Sequence, residues 1–264
     1  MISVIVPYKN AEPWIARCVQ SLVRQKSDAQ FILVDDHSID RSHEIVEEIA
    51  GGDLRFFFAA IMSPELTGVS AARNYGMHIS SGDWITFLDA DDAMLPNGIE
   101  TYEEIIRTAP EANIHQLNHM RYYASIDKLT MKYMNEEGMY TSKDLPKMWF
   151  GVWNKLFRRS LLREIEFDEC LQYGEDGMFI LECLAKDDRI HHARKSAAAV
   201  THYFDNPNSL SHSKDAADLF RYIGRLESFI LRQNNPDLRR AVCRILSECW
   251  GSDTYQDIIG GGHR

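Results

Sequence analysis

The chain predicts an α/β fold: a mostly parallel central sheet flanked by helices, with a smaller mixed sheet and a C-terminal helical tail. Three observations predict it. Short apolar, β-rich runs alternate with amphipathic helical stretches through roughly the first 100 residues, the pattern of strands joined by right-handed crossovers. Three of those runs stop at Pro7, at Asp35/Asp36 and at Asp89/Asp91, so a parallel sheet brings these ends to one edge. Beyond residue 112 the alternation gives way to short strands, and from Ala216 to two arginine-rich helices broken at Asn234-Asn235-Pro236.

Ile2-Ser3-Val4-Ile5-Val6 is a β-branched strand that ends at Pro7, and Ala11 to Arg24 carries Trp14, Ile15, Cys18, Val19, Leu22 and Val23 at helical spacing. Phe31 to Val34 is a second strand, after which Ser38 is placed to cap a helix running to Ala50. Leu54 to Phe58 reads as a third strand, Gly68 to Ile79 as a helix entered through a glycine, and Trp84 to Leu88 as a fourth strand. That last strand runs into Asp89, Asp91 and Asp92. Acids clustered at the end of a buried strand are costly unless hydrated, paired or bound to a cation. The loop reads either as a helix-capping turn or as a site for a hard divalent metal. Pro96 to Thr108 is a helix, residues 113–134 are two or three strands, and a further amphipathic helix begins at Glu175 and Asp176.

Composition narrows the class. A net charge of −10 argues against a nucleic-acid binder, which needs a basic face. Five cysteines without a CxxC pair read as reduced core thiols of a cytoplasmic protein. The apolar start reaches Pro7 and Lys9 too soon for a signal peptide, and no run is long enough to span a membrane. The expected location is cytoplasmic, with peripheral attachment to the inner membrane face open. No GxGxxG follows the first strand, which sets aside a Rossmann dinucleotide site.

Ser3-Val4-Ile5-Val6-Pro7-Tyr8-Lys9-Asn10, Ile32 through Ser38, Gly68 through Gly76 and Gly82 through Asp92 resemble the motifs of family 2 glycosyltransferases, in the family's order. The resemblance implies the GT-A fold and an inverting transferase using a nucleotide-diphosphate sugar, a UDP-sugar foremost. By position, Pro7, Tyr8 and Asn10 would line the base pocket. Asp36 would accept a hydrogen bond from the uracil, with Asp35 the second candidate, and Arg73 would lie near the diphosphate. Asp89-Ala90-Asp91 matches the DXD motif, Asp91 as metal ligand and Asp89 near the ribose or donor sugar and also a candidate ligand. Mn²⁺ or Mg²⁺ takes carboxylates together with substrate phosphates. Tyr8 and Lys9 depart from the aromatic-then-Asn order of the family, and His37 stands where glycine is common.

Farther along, Trp153-Asn154-Lys155-Leu156-Phe157-Arg158-Arg159 is similar to the family's WNKL(Y/F)RR stretch. Trp153, Asn154 and Lys155 are candidate acceptor contacts. Lys155, Arg158 and Arg159 are candidate phosphate partners, the two arginines alternatively surface charges, and Trp153 alternatively a core residue. Tyr173-Gly174-Glu175-Asp176 resembles the ED motif, which makes Asp176 the catalytic base and Glu175 its supporting, acceptor-side neighbour. His202 is a candidate ligand or a structural residue, and His191 and His192 read as surface histidines.

The resulting organisation is a donor-binding half over residues 1–112, an acceptor-binding half over 113–211 and a helical tail over 212–264. The tail helices suit either packing or dimer contact, or rest on an anionic membrane carrying a lipid-linked saccharide acceptor. A sugar-phosphate nucleotidyltransferase is the competing enzyme, weakened by the lack of a glycine-rich basic loop near the start. A non-catalytic nucleotide-sugar-binding protein is the competing non-enzyme.

Overall fold

The computed structural model describes residues 1–123, 128–132, 137–147, 150–193, 201–204 and 216–250. Its central sheet begins with four parallel strands, β1 (Ile2–Tyr8), β2 (Ala29–Asp35), β3 (Phe56–Ala60) and β4 (Trp84–Phe87). Between them run α1 (Ile15–Val23), α2 (Ser42–Ala50) and α3 (Val69–Ile79). After β4 come β5 (Ala93–Met94), α4 (Gly98–Thr108), β6 (Ile114–Gln116), β7 (His119–Tyr123), β8 (Lys128–Lys132) and β9 (Gly138–Thr141). β10 (Lys155–Arg158), α5 (Glu175–Lys186), β11 (Arg189–His192), β12 (Thr201–Phe204), α6 (Ala216–Arg232) and α7 (Pro236–Trp250) complete the order.

The main sheet has the order β3-β2-β1-β4-β10-β6-β11-β9, and a second sheet the order β5-β12-β7-β8. Strand β10 is antiparallel to both β4 and β6, so the sheet continues across residue 112 and takes four strands from the later half. The smaller mixed sheet expected there exists as the four-stranded one, with β12 antiparallel to β5 and parallel to β7.

Side chains alternate across the pleat. Val4, Val6, Phe31, Leu33 and Trp84 face α1, α2 and α4, while Ile5, Ile32, Val34, Ile85 and Phe87 face α3, α5, α6 and α7. Gly76 is required by this packing, because a Cβ there would come 2.4 Å from Ile5 Cγ2. The tail helices belong to the same core: Leu226, Phe229, Leu238 and Val242 are fully buried in it. Those residues pack within the chain, while Phe220 and Leu231 of α6 are exposed.

Several local expectations are corrected. Helix α1 starts at Ile15, α4 at Gly98, and α2 at Ser42, four residues after Ser38. Ser38 instead accepts a hydrogen bond from Asn10 N and donates its own N–H to Asp35, holding the loop between β2 and α2. The third strand is shifted to Phe56–Ala60, leaving Leu54 exposed. His191 and His192 are buried rather than superficial, with His191 Nδ1 3.0 Å from His115 Nδ1. Of the cysteines, Cys18 and Cys183 are core thiols but Cys170 and Cys243 are exposed.

Arg158 and Arg159 are both engaged within the protein. Arg158 lies over the Trp84 ring and donates to the Pro110 and Ala112 carbonyls; Arg159 donates to the Gly82 carbonyl and to Ser80 Oγ. Expectations for the His202 side chain, residues 205–211 and the ending at 260–264 fall outside the described residues.

Candidate active site

The carboxyl ends of β1, β2 and β4 lie on one edge because the three strands are parallel and in register, Pro7 beside Val34 and Ile5 beside Phe87. The first acid there, Asp36, is buried and takes four donors. Gly68 N (2.9 Å) and Lys9 Nζ (3.1 Å) reach Oδ2, and Thr67 Oγ1 (3.0 Å) and His37 Nδ1 (3.1 Å) reach Oδ1. Burial opposes its charge, but the hydrogen bonds from His37, Gly68, Lys9 and Thr67 outweigh it and hold the pKa below the ordinary carboxylate value. Asp35 is engaged by Ser38 N at 2.9 Å.

Around Asp36 the residues expected to line a base pocket divide. Pro7 is buried in β1. Tyr8 is buried as well, its hydroxyl 3.2 Å from His43 Nδ1, so its ring is packed in the core and does not offer a stacking face. Asn10, at a positive φ of 47°, is exposed and accepts from Ile39 N, fastening the loop after β2. Lys9, Thr67 and Gly68 are the partners that motif reading left unassigned.

The same 67–73 segment leads to the second group. One turn into α3, Arg73 is almost fully buried and reaches Asp176 Oδ1 (2.7 Å), Asp89 Oδ1 (3.0 Å) and Glu175 Oε1 (3.4 Å). Its guanidinium also lies over the Phe167 ring, while neighbouring Asn74 clasps Phe167 by both N and O. A single arginine thus joins the DXD loop to the ED pair, 103 residues apart in sequence from Asp176. Burial penalises the Arg73 charge, yet the three acids raise its pKa above the ordinary arginine value.

Asp176 and Glu175 occupy the first turn of α5, entered through Gly174 at φ 77°. A helix N-terminus favours ionised acids, but burial works the other way. Burial, with a contribution from Asp89, raises the Asp176 pKa despite Arg73 and the Val152 N–H. Burial and then Asp176 push Glu175 up to about 7. Gly174 is packed so closely that a Cβ would lie 2.4 Å from the Tyr222 ring of α6. The tail therefore buttresses the turn that carries the acids.

Asp89 and Asp91 offer only hard oxygen donors. Arg17 fixes the Asp91 backbone by donating Nη2 to its carbonyl at 2.6 Å, a contact between α1 and the loop with no sequence signal. Among the described residues no three His, Cys, Asp or Glu side chains form a complete metal cage. Mg²⁺ and Mn²⁺ take such oxygen donors together with substrate phosphates, and here Asp89 Oδ1 is also 3.0 Å from Arg73 Nη2. The donor set fits such an ion.

The Trp153, Asn154 and Lys155 side chains, expected as acceptor contacts, are all buried, at 6%, 1% and 0% exposure. Asn154 and Leu117 exchange hydrogen bonds, and Lys155 turns inward to the Gly151 carbonyl.

Residues 3–166 match the family described as Glycosyl transferase family 2. The chain belongs to that family. Among curated family relatives, the uncharacterized glycosyltransferase EpsJ of Bacillus subtilis (strain 168) is 30% identical over 227 residues, 80% of this chain and 63% of that protein. The minor teichoic acid biosynthesis protein GgaA of the same organism is 30% identical over 201 residues, 72% of this chain and 44% of its own. The chain thus spans less than two thirds of the length of either. Among solved structures, S. aureus TarS 1-349 in complex with UDP-GlcNAc aligns at a TM-score of 0.79 and 19% identity, over 98% of this chain and 75% of that one. At that identity the match establishes the GT-A fold. The mannosyltransferase PcManGT from Pyrobaculum calidifontis, in complex with GDP-Man and Mn²⁺, aligns more loosely, at a TM-score of 0.57 and 14% identity over 99% of this chain and 79% of that one. No helix among the described residues is long and apolar enough to cross a membrane.

Proposed function

We propose that the protein is an inverting, metal-dependent glycosyltransferase that moves a sugar from a UDP-sugar to a saccharide acceptor. The observation that carries this is the Arg73 junction, where Asp89, Glu175 and Asp176 meet one guanidinium within 3.4 Å. A donor bridging Asp36 and Asp89 would place its sugar beside Asp176. There Asp176 takes the proton from an acceptor hydroxyl as that oxygen bonds to the anomeric carbon. The bond from that carbon to the diphosphate breaks, and its electron pair leaves with the diphosphate. Attack from the face opposite the leaving group inverts the configuration. A half-buried carboxylate with a raised pKa accepts a proton more readily than an ordinary one.

Asp36 is the candidate partner of the uracil N–H, exchanging Lys9 or Thr67 for it, and Asp35, Pro7 and Asn10 shape the loop around it. Asp91 and Asp89 would hold the divalent cation. When bound, that ion supplies positive charge for the leaving diphosphate. Arg73 can serve the same end, since its charge is secured by three acids.

The relatives' names support one acceptor class. GgaA is a minor teichoic acid biosynthesis protein, and another relative is a teichoic acid poly(glycerol phosphate) polymerase. A growing cell-surface polymer, presented at the cytoplasmic side of the membrane, is the acceptor we favour. Transfer from a panel of UDP-sugars to such acceptors, with the anomer of the product read by NMR, tests the reading. Retention of configuration, or full activity in Asp176→Asn, would sink it.

A further inference from the structure

A lysine without exposed surface is costly unless its ammonium finds partners. Lys155, the first residue of β10, is 0% exposed, and its Nζ donates to the Gly151 carbonyl at 2.7 Å and to Asn154 Oδ1 at 3.2 Å. Asn154 is itself fixed, its Nδ2 donating to the Leu117 carbonyl and its carbonyl accepting from Leu117 N, both at 3.0 Å. The Gly151 carbonyl is one end of a peptide unit whose other end is the Val152 N–H. That N–H donates to Asp176 Oδ2 at 3.2 Å. A trans peptide points its C=O and N–H in opposite directions. The ammonium and the carboxylate therefore sit at the two ends of one rigid dipole.

We infer that Lys155 is a positioning residue for the general base, aiming and polarising the Gly151–Val152 peptide so that its N–H holds the Asp176 carboxylate. The inference rests on the reading of Asp176 as base. A cation on the carbonyl oxygen draws electron density from the N–H and strengthens it as a donor. It also ties the peptide's orientation to the start of β10. Arg73 from α3 grips Oδ1 and the peptide grips Oδ2, so the carboxylate is held from two sides.

The other titratable groups around the pair are Asp89 from the loop after β4, Glu175 beside Asp176 on α5, and His192 from β11, whose pKa burial and Lys155 lower. Burial draws the Lys155 pKa down to about 7, while the Asp176 charge raises it, so the two groups sense each other. This gives the WNKL stretch an internal role in place of acceptor contact.

The test uses the amide proton of Val152 in the ¹⁵N-labelled protein, together with steady-state kinetics. Lys155→Met should move that proton upfield and lower kcat about tenfold, with donor KM unchanged. Lys155→Arg, which keeps the cation, should restore most of both. Should Lys155→Met fail to fold, Lys155→Gln keeps a neutral donor to Gly151 and should give an intermediate upfield shift. An unmoved Val152 proton and unaltered kcat in Lys155→Met or in Lys155→Gln overturns the inference, as does a loss confined to donor KM. Asp176→Asn separates the two readings. If it transfers sugar normally the base assignment fails, whereas the Val152 proton reports on the peptide linkage either way.

Discussion

Asp36 and Asp176 are tied to the two ends of the 67–73 segment, the first buried and the second half-buried, yet their surroundings are opposite. Asp36 is ringed by donors and no other acid, and its pKa is lowered. Asp176 shares one arginine with two further acids, and its pKa is raised. The first environment keeps a carboxylate permanently ionised as a hydrogen-bond acceptor. The second favours the protonated form. The difference lies in what the fold brings alongside, since the residue type is the same.

The largest expected effect tests that contrast directly. Asp176→Asn should lower kcat by roughly 10²–10⁴ while calorimetry with UDP shows unaltered affinity. Asp36→Asn should do the reverse, weakening UDP about tenfold or more with kcat at saturating donor little changed. If both variants lose the same parameter, the division of labour between the two acids is broken.

Arg73→Met leaves Asp89, Glu175 and Asp176 without their shared cation. Removing one partner of a buried ionic cluster costs about 3–5 kcal/mol, readable as a lower urea midpoint. The deficit should shrink as the pH is lowered and the acids take up protons. A deficit independent of pH would mean that lost packing on Phe167, and not charge, is responsible.

Gly174→Ala should follow, costing on the order of 1–3 kcal/mol, because the new methyl meets the Tyr222 ring and the φ of 77° is strained for alanine. Its kcat should fall more than that of a comparably destabilised variant elsewhere, since Gly174 leads into the acids.

The smallest effect is in the pH profile of stability. The folded pKa of Glu175 is raised to about 7. Its contribution is therefore complete below its unfolded pKa of about 4.3 and is lost as the pH rises through 7. Glu175→Gln should flatten that part of the profile. Asp36 has the opposite sign, its contribution present above its unfolded pKa of about 3.9 and lost as the pH falls through its lower folded value. Chemical denaturation between pH 3 and pH 8, read in roughly unit steps, separates the two signs.

The parallel strands, their order of appearance and the gathering of Asp35, Asp36 and Asp89 at one edge were legible in the sequence, because they follow from local apolar periodicity and one topological rule. So were the family and the residues of its motifs, which are short contiguous strings. Burial of Tyr8, Asn154, Lys155, His191 and His192 was not. Each reads as a polar or amphipathic residue in a short segment, and its orientation is set by strands or helices distant in the chain. Arg17 reaching Asp91 from α1 is of the same kind.

What the sequence by itself determined is the order of the strands along the chain and the acids that their carboxyl ends bring to one edge. What only the tertiary structure decided is their electrostatic state: Arg73 shared among three acids, Asp36 saturated with donors, Lys155 turned inward behind the peptide that holds Asp176. Residue identity carries a reference pKa, whereas burial and neighbouring charge shift it by amounts that depend on distances of a few ångströms. Those distances are fixed between residues as far apart as Arg73 and Asp176, and no local pattern encodes them.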